Sequence, residues 1–133
     1  MLRIVLADDH EIVRAGLKSL ISQQRDWSVC GEAGNGLEAI AKVVELQPDV
    51  VILDITMPVM SGLEAAVKIR QLAPSTRIVM LSMHDAVVMA NLLSLSAPDA
   101  YLSKANANQD LVRTLTSVMD KQVMVSPNRA PAV

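Results

Sequence analysis

Three carboxylates and one lysine stand where chemistry would be expected of them. Asp8 and Asp9 end the apolar run Ile4-Val5-Leu6-Ala7, Asp54 ends Val50-Val51-Ile52-Leu53, and Lys104 follows Ala100-Tyr101-Leu102 closely. Short aliphatic runs closed by a polar residue are the mark of strands buried on both faces of a parallel sheet. The carboxyl ends of such strands are where open α/β sheets bind ligands. Carboxylates gathered there repel one another, and one takes up a proton unless a cation stands among them. Mg²⁺ removes that conflict, because it prefers oxygen ligands and is commonly held by a couple of carboxylates and a phosphate. An aspartate in this setting can be a phosphoryl nucleophile, with Lys104 neutralising charge on the transferring group.

Ser82 ends Ile78-Val79-Met80-Leu81, where its hydroxyl could donate to a phosphoryl oxygen on Asp54. Taken singly, each of these residues has a plainer explanation. Asp and Ser are favoured helix N-caps, and an isolated lysine is usually solvated. Tyr101 is either core filler with its hydroxyl at the surface or a ring that moves with Ser82. His10 and His84 lack the spaced His, Cys or Glu partners of a persuasive metal site and read as solvated loop residues. The joint placement of Asp8, Asp9, Asp54 and Lys104 is what outweighs the plain reading.

The elements that must position these groups are legible as alternation. Strands are expected at Arg3–Ala7, Trp27–Ala33, Val50–Leu53, Arg77–Ser82 and Ala100–Ser103. Apolar residues at helical spacing lie between them: Ile12/Val13, Gly16/Leu17 and Leu20/Ile21; then Leu37, Ile40/Ala41 and Val44; then Leu63, Ala66/Val67 and Ile69, entered through Ser61-Gly62. Residues 86–95 make a further helical segment, and Leu111/Val112, Leu115 and Val118/Met119 mark a last one beginning near Asn108. Alternating strands and helices with short loops predict an α/β domain with a parallel sheet and right-handed crossovers.

One domain of 133 residues has room for a real core, and with Trp27 and Tyr101 its only aromatics that core must be aliphatic. A net charge of -2 gives no reason to expect nucleic-acid binding by this chain itself. The single Cys30 can form no internal disulfide and is expected as a buried thiol in a reducing cytoplasm. No apolar run approaches a membrane span, and early acidic residues argue against a signal peptide. From Ala86 to Pro98 no residue is charged. A helix apolar nearly all round usually buries its second side too, so this stretch is expected to carry a protein–protein surface, most simply a homodimer contact. The tail from Lys121, with Pro127 and Pro131, reads as a linker or frayed end of a 1–120 domain.

These residues resemble the receiver domain of two-component response regulators over about positions 2–120. Ile4 through His10, continuing through Val13-Arg14-Ala15-Gly16-Leu17, is similar to the branch that carries a LuxR-type helix-turn-helix output domain. Asp54-Ile55-Thr56-Met57-Pro58 and Gly62-Leu63-Glu64-Ala65 resemble the family's phosphoacceptor segment. The resemblance implies a doubly wound, flavodoxin-like, five-stranded sheet of order 2-1-3-4-5. It implies phosphorylation of Asp54 by a sensor histidine kinase, with Mg²⁺ held by Asp9, Asp54 and the Thr56 carbonyl and with Asp8 acting largely through water. It further implies a lysine role for Lys104, switch roles for Ser82 and Tyr101, slow autodephosphorylation, and readout through the 86–95 segment, the fifth strand and the last helix. DNA would be bound only through an output domain outside this chain. The segment Ser96-Ala97-Pro98-Asp99-Ala100 departs from the branch, whose members usually have Gly at the positions of Ala97 and Ala100; Pro98 should stiffen that turn.

Three other functions compete. An aspartate-nucleophile phosphohydrolase of the haloacid-dehalogenase type would place a second Asp two residues after its first-strand nucleophile, where this chain has His10, and has no room here for a cap domain. A flavin or nucleotide domain would need a glycine-rich phosphate loop after the first strand, where Asp8-Asp9-His10-Glu11 would repel phosphate. A receiver-like protein that takes no phosphate would not need the intact acidic, lysine and hydroxyl set.

Overall fold

The computed structural model describes residues 1–83 and 98–124, with side chains as far as residue 120. Its strands are β1 (Leu2–Ala7), β2 (Trp27–Ala33), β3 (Val50–Asp54), β4 (Arg77–Ser82) and β5 (Ala100–Ser103). Its helices are α1 (Glu11–Ser22), α2 (Gly36–Leu46), α3 (Gly62–Leu72) and α4 (Ala107–Met124), the last preceded by a 3₁₀ turn at Lys104–Asn106. The expected helical segment 86–95 lies outside the described residues. No described helix is long and apolar enough to cross a membrane.

All strands pair in parallel in the order β2-β1-β3-β4-β5. Side chains alternate between the two faces of a strand, and two cores result. Val5, Ala7, Val51, Leu53, Ile78 and Met80 pack beneath α2 and α3. Ile4, Leu6, Val50, Ile52, Val79, Leu81 and Leu102 pack beneath α1 and α4. The central strand β3 is buried at every residue, as a both-faces-covered strand requires.

Several expectations need correction. The inward face of α2 is Gly36, Ala39 and Val43 with Ile40 partly buried, while Leu37 and Val44 are 52% and 46% exposed. Two apolar stripes overlap on this helix, so the local pattern does not choose between them. Its entry chooses: Asn35 caps the helix by accepting from Glu38 N at 2.9 Å, and Gly36 lies so close to the loop before α3 that a Cβ there would stand 2.5 Å from Met60 O. Ile12 is likewise 87% exposed, and Val67 is exposed on α3. Cys30 is half-buried rather than buried. It is the extra residue where the β1–β2 register slips, Ile4 facing Val29 and Val5 facing Gly31. The last helix runs on to Met124, past the expected break at Lys121.

The loop after β3 is strained. Val59 has φ 70°, and Met60 N donates to Pro58 O at 2.7 Å, closing a γ-turn around it. This turn is rare, and a β-branched residue at positive φ is disfavoured by Cβ sterics. Val59 is also well exposed, so it gains little packing in return. Val59→Gly is therefore expected to raise the unfolding free energy by about 1 kcal/mol, read as a higher urea midpoint at unchanged slope. A lower midpoint would show that this valine's contacts outweigh its backbone cost.

Candidate functional site

Strand parity explains why the distant charges meet. Asp8 continues the row Ile4–Leu6, Asp54 continues Val50–Ile52, and Lys104 comes two residues after Leu102; all three rows share the α1/α4 face. In-register pairing of β1 with β3 and of β3 with β4 brings the row ends to one edge of the sheet. Lys104 enters from the 3₁₀ turn, whose start is capped by Ser103 Oγ accepting from Ala105 N at 3.2 Å. Its Nζ lies 3.0 Å from Asp54 Oδ2 and 3.1 Å from Asp8 Oδ2. Asp8 and Asp54 are 1% and 3% exposed.

Two buried carboxylates bridged by one ammonium leave a net negative site. Burial pushes the Asp54 carboxyl above the ordinary aspartate value; the Lys104 hydrogen bond opposes this and the neighbouring Asp8 reinforces it. For Lys104, burial alone would lower the ammonium pKa, but the hydrogen bond to Asp54 and the close carboxylate of Asp8 outweigh it and the net direction is upward. The contact with Asp54 is a hydrogen bond. The contact with Asp8 Oδ2 is close enough for an ion pair but off the line of a hydrogen bond, so that oxygen remains a buried acceptor without a donor.

The raised Asp54 value has a definite sign in stability. A carboxyl that binds its proton more tightly when folded contributes most below its ordinary value, and that contribution is lost as pH rises through the raised one. Asp54→Asn removes the titration. In the window just above the ordinary aspartate value the stability of the parent relative to Asp54→Asn should therefore fall as pH rises. Parallel melting-temperature curves for the two proteins across that window would contradict the shift.

Asp9 stands at the rim, its side chain one-third exposed. His10 is a solvated loop residue as expected, its side chain 62% exposed, yet its ring also reaches the carboxylates. His10 N donates to Asp8 Oδ1 at 2.8 Å, and its ring Nδ1 lies 3.1 Å from Asp8 Oδ1 and 3.3 Å from Asp9 Oδ1. Among the described residues, ligand atoms of Asp8, Asp9, His10 and Asp54 lie within 4.8 Å of one another, a group able to hold a metal ion. A mostly carboxylate donor set with an unsatisfied buried oxygen fits a hard divalent cation. Thr56 is exposed, and its N–H reaches toward Asp54 Oδ1 at 3.4 Å.

Ser82 is buried at the end of β4, facing Ser103 in register. Alternation puts it with Ile78 and Met80, on the α2/α3 side of the sheet. Tyr101 faces Met80 in register and packs, partly buried, against that same core. The two residues thus share a face, the one opposite to the row that Asp54 continues. Sequence reasoning also missed Arg14, which donates to the Asp8 carbonyl at 2.6 Å. Its position one helical turn after His10 is the only local signal, and a weak one.

A parallel 2-1-3-4-5 sheet with an acidic cluster and a lysine at its carboxyl edge defines a receiver. A family model of the response regulator receiver domain matches residues 4–116. The chain belongs to that family and is a phosphorylation-controlled signalling module of the two-component kind. It is 37% identical over 132 residues to the nitrate/nitrite response regulator protein NarL of Escherichia coli, covering 98% of this chain and 60% of that protein. It is 36% identical over 125 residues to the oxygen regulatory protein NreC of Staphylococcus epidermidis, covering 93% and 57%. The chain thus spans about three-fifths of the length of these relatives. A LuxR-family two-component response regulator from Aurantimonas is similar in structure, with TM-score 0.83 and 33% identity over 89% of this chain and 84% of that one. The response regulator domain of Thermotoga maritima CheB gives TM-score 0.82 and 28% identity over 90% and 97%.

Proposed function

We propose that Asp54 accepts the phosphoryl group, donated by the phosphohistidine of a partner sensor kinase. The observation that carries this is the Lys104 ammonium placed within 3.1 Å of two buried carboxylates, Asp54 and Asp8. An oxygen of ionised Asp54 attacks phosphorus, the P–O bond forms as the P–N bond to the imidazole breaks, and the imidazole leaves with the bonding pair. Lys104 keeps Asp54 ionised against burial and stands ready to turn to a phosphoryl oxygen. Positioning and charge neutralisation carry most of such a transfer. Slow self-hydrolysis of the acyl phosphate belongs to the same reading.

Asp9, Asp54 and the Thr56 carbonyl would hold Mg²⁺, with Asp8 contributing through water. When bound, the ion supplies positive charge to the phosphoryl oxygens. Asp9→Ala removes one of few anionic ligands for a cation that dehydrates reluctantly. Its Mg²⁺ dissociation constant should rise at least about tenfold by calorimetry. Unchanged affinity would remove Asp9 from the ligand set.

Ser82 and Tyr101 would read the modification out. A dianion on Asp54 offers Ser82 a charge-assisted hydrogen bond that the resting state lacks, and Tyr101 shares Ser82's face. The boundary near residue 120 would mark the end of a cytoplasmic receiver joined to a DNA-binding output domain, a reading supported by relatives such as the transcriptional regulatory protein YdfI of Bacillus subtilis. Self-association through the uncharged 86–98 stretch remains a reading of its composition, and sedimentation with and without beryllofluoride tests it. The central test is incubation with acetyl phosphate and Mg²⁺. A mass gain of one phosphoryl group is expected; no gain at saturating donor and metal would overturn the reading.

A further inference from the structure

We propose that Arg14 is a positioning residue for the acidic pair: it ties the main chain at Asp8 to Glu32 of β2 and so sets the divalent-cation affinity of the site. The inference rests on reading Asp8, Asp9 and Asp54 as the cation and phosphoryl site. One guanidinium makes both contacts. Nη1 donates to the Asp8 carbonyl at 2.6 Å, and Nε donates to Glu32 Oε1 at 3.2 Å. The Arg14 side chain is only 20% exposed, so the bridge is not a loose surface pair.

Glu32 is itself anchored. Lys18 Nζ donates to Glu32 Oε2 at 2.9 Å. The hydrogen bond from Lys18, ahead of that from Arg14, holds the Glu32 carboxyl below its ordinary value, so Glu32 stays ionised at neutral pH and presents a fixed anion to Arg14. On the other side, Asp8 N donates to Ala33 O at 3.0 Å. Asp8 is therefore gripped on its N–H by β2 and on its carbonyl by Arg14. Beyond it the chain leaves the sheet towards Asp9 and His10, and among the described residues Arg14 is the donor that holds this carbonyl. Two donors in the fixed fork of a guanidinium can hold this corner; a lysine reaches one partner at a time.

Positioning and through-space charge predict opposite signs. Removing a nearby cation should by Coulomb's law strengthen Mg²⁺ binding. Loosening the backbone that aims the ligands should weaken it, as loss of groups supporting metal ligands typically does by about 10- to 100-fold. The test is Mg²⁺ calorimetry on Arg14→Met, Arg14→Lys, Glu32→Ala and the Arg14→Met/Glu32→Ala double variant, with melting curves alongside. Arg14→Met is expected to raise the dissociation constant about tenfold or more, Arg14→Lys less. Glu32→Ala should move it the same way, and the double variant should be no worse than Arg14→Met alone. Phosphorylation by acetyl phosphate should recover at saturating Mg²⁺.

Tighter or unchanged Mg²⁺ binding in folded Arg14→Met overturns the proposal. Should that variant not fold, a folded Glu32→Ala with the parent's affinity overturns it equally. A parent chain that binds no Mg²⁺ while Asp54 still takes up phosphate would sink this inference and leave the phosphoacceptor assignment standing.

Discussion

Asp54→Asn is expected to abolish phosphoryl labelling by small donors and by a kinase alike. Asparagine keeps the shape at the end of β3, and its amide oxygen can still accept from Lys104, which now lies 3.0 Å from Asp54 Oδ2. What it lacks is an ionised oxygen able to attack phosphorus. Losing a nucleophile leaves only whatever its surroundings achieve without it, so labelling should fall at least about 10³-fold. Asp8 and Asp9 remain in the variant as internal competitors. Stoichiometric labelling that persists in Asp54→Asn would move the nucleophile to one of them, and peptide mapping of the labelled chain would say which.

Gly62→Ala should be the most damaging single methyl in the domain among the glycines described. A Cβ at Gly62 would collide with Asp54 O and stand 2.8 Å from Asp54 C and 3.0 Å from Ile55 Cα. All three are main-chain atoms, and none can swing aside as a side chain would. The same glycine donates its N–H to Ile55 O at 2.8 Å, locking the first turn of α3 onto the end of β3. Overpacking usually costs about 1–3 kcal/mol, and this case belongs at the upper end or beyond because the backbone itself must move. The movement displaces the carbonyl of Asp54 and the loop to Thr56, so labelling should fail even where folding survives. Gly16→Ala is the control: nothing lies within 4 Å of its added Cβ, and a glycine inside a helix gains up to about 1 kcal/mol on replacement by alanine. Urea unfolding decides both. A Gly62→Ala protein within about 1 kcal/mol of the parent would show that α3 can slide without cost.

Much of this molecule is local in origin. Aliphatic runs such as Val50-Val51-Ile52-Leu53 form buried strands because their side chains suit both covered faces, and the expected spans match the observed ones with one residue added to β1 and one to β3. The strand-end positions of Asp8, Asp54 and Ser82, and that of Lys104 just beyond β5, follow from the same runs. Their convergence follows from a parallel sheet with side-chain period two. The face of α2 was not legible, because Leu37, Ile40 and Val44 make as good a stripe as Ala39, Ile40 and Val43. Only the Asn35 cap and the contact of Gly36 with Met60 turn the helix to bury the second.

Sequence by itself determined the elements, their alternation and the acid, lysine and hydroxyl set, since those depend on residues within a few positions of one another. Tertiary structure alone decided that one Lys104 ammonium meets both Asp8 and Asp54, and that Arg14 bridges to Glu32 of β2. It also decided that Gly62 must carry no side chain. These are distances of a few ångströms between residues up to 96 positions apart (Lys104 against Asp8), set by register and packing across strands and invisible to any pattern read along the chain.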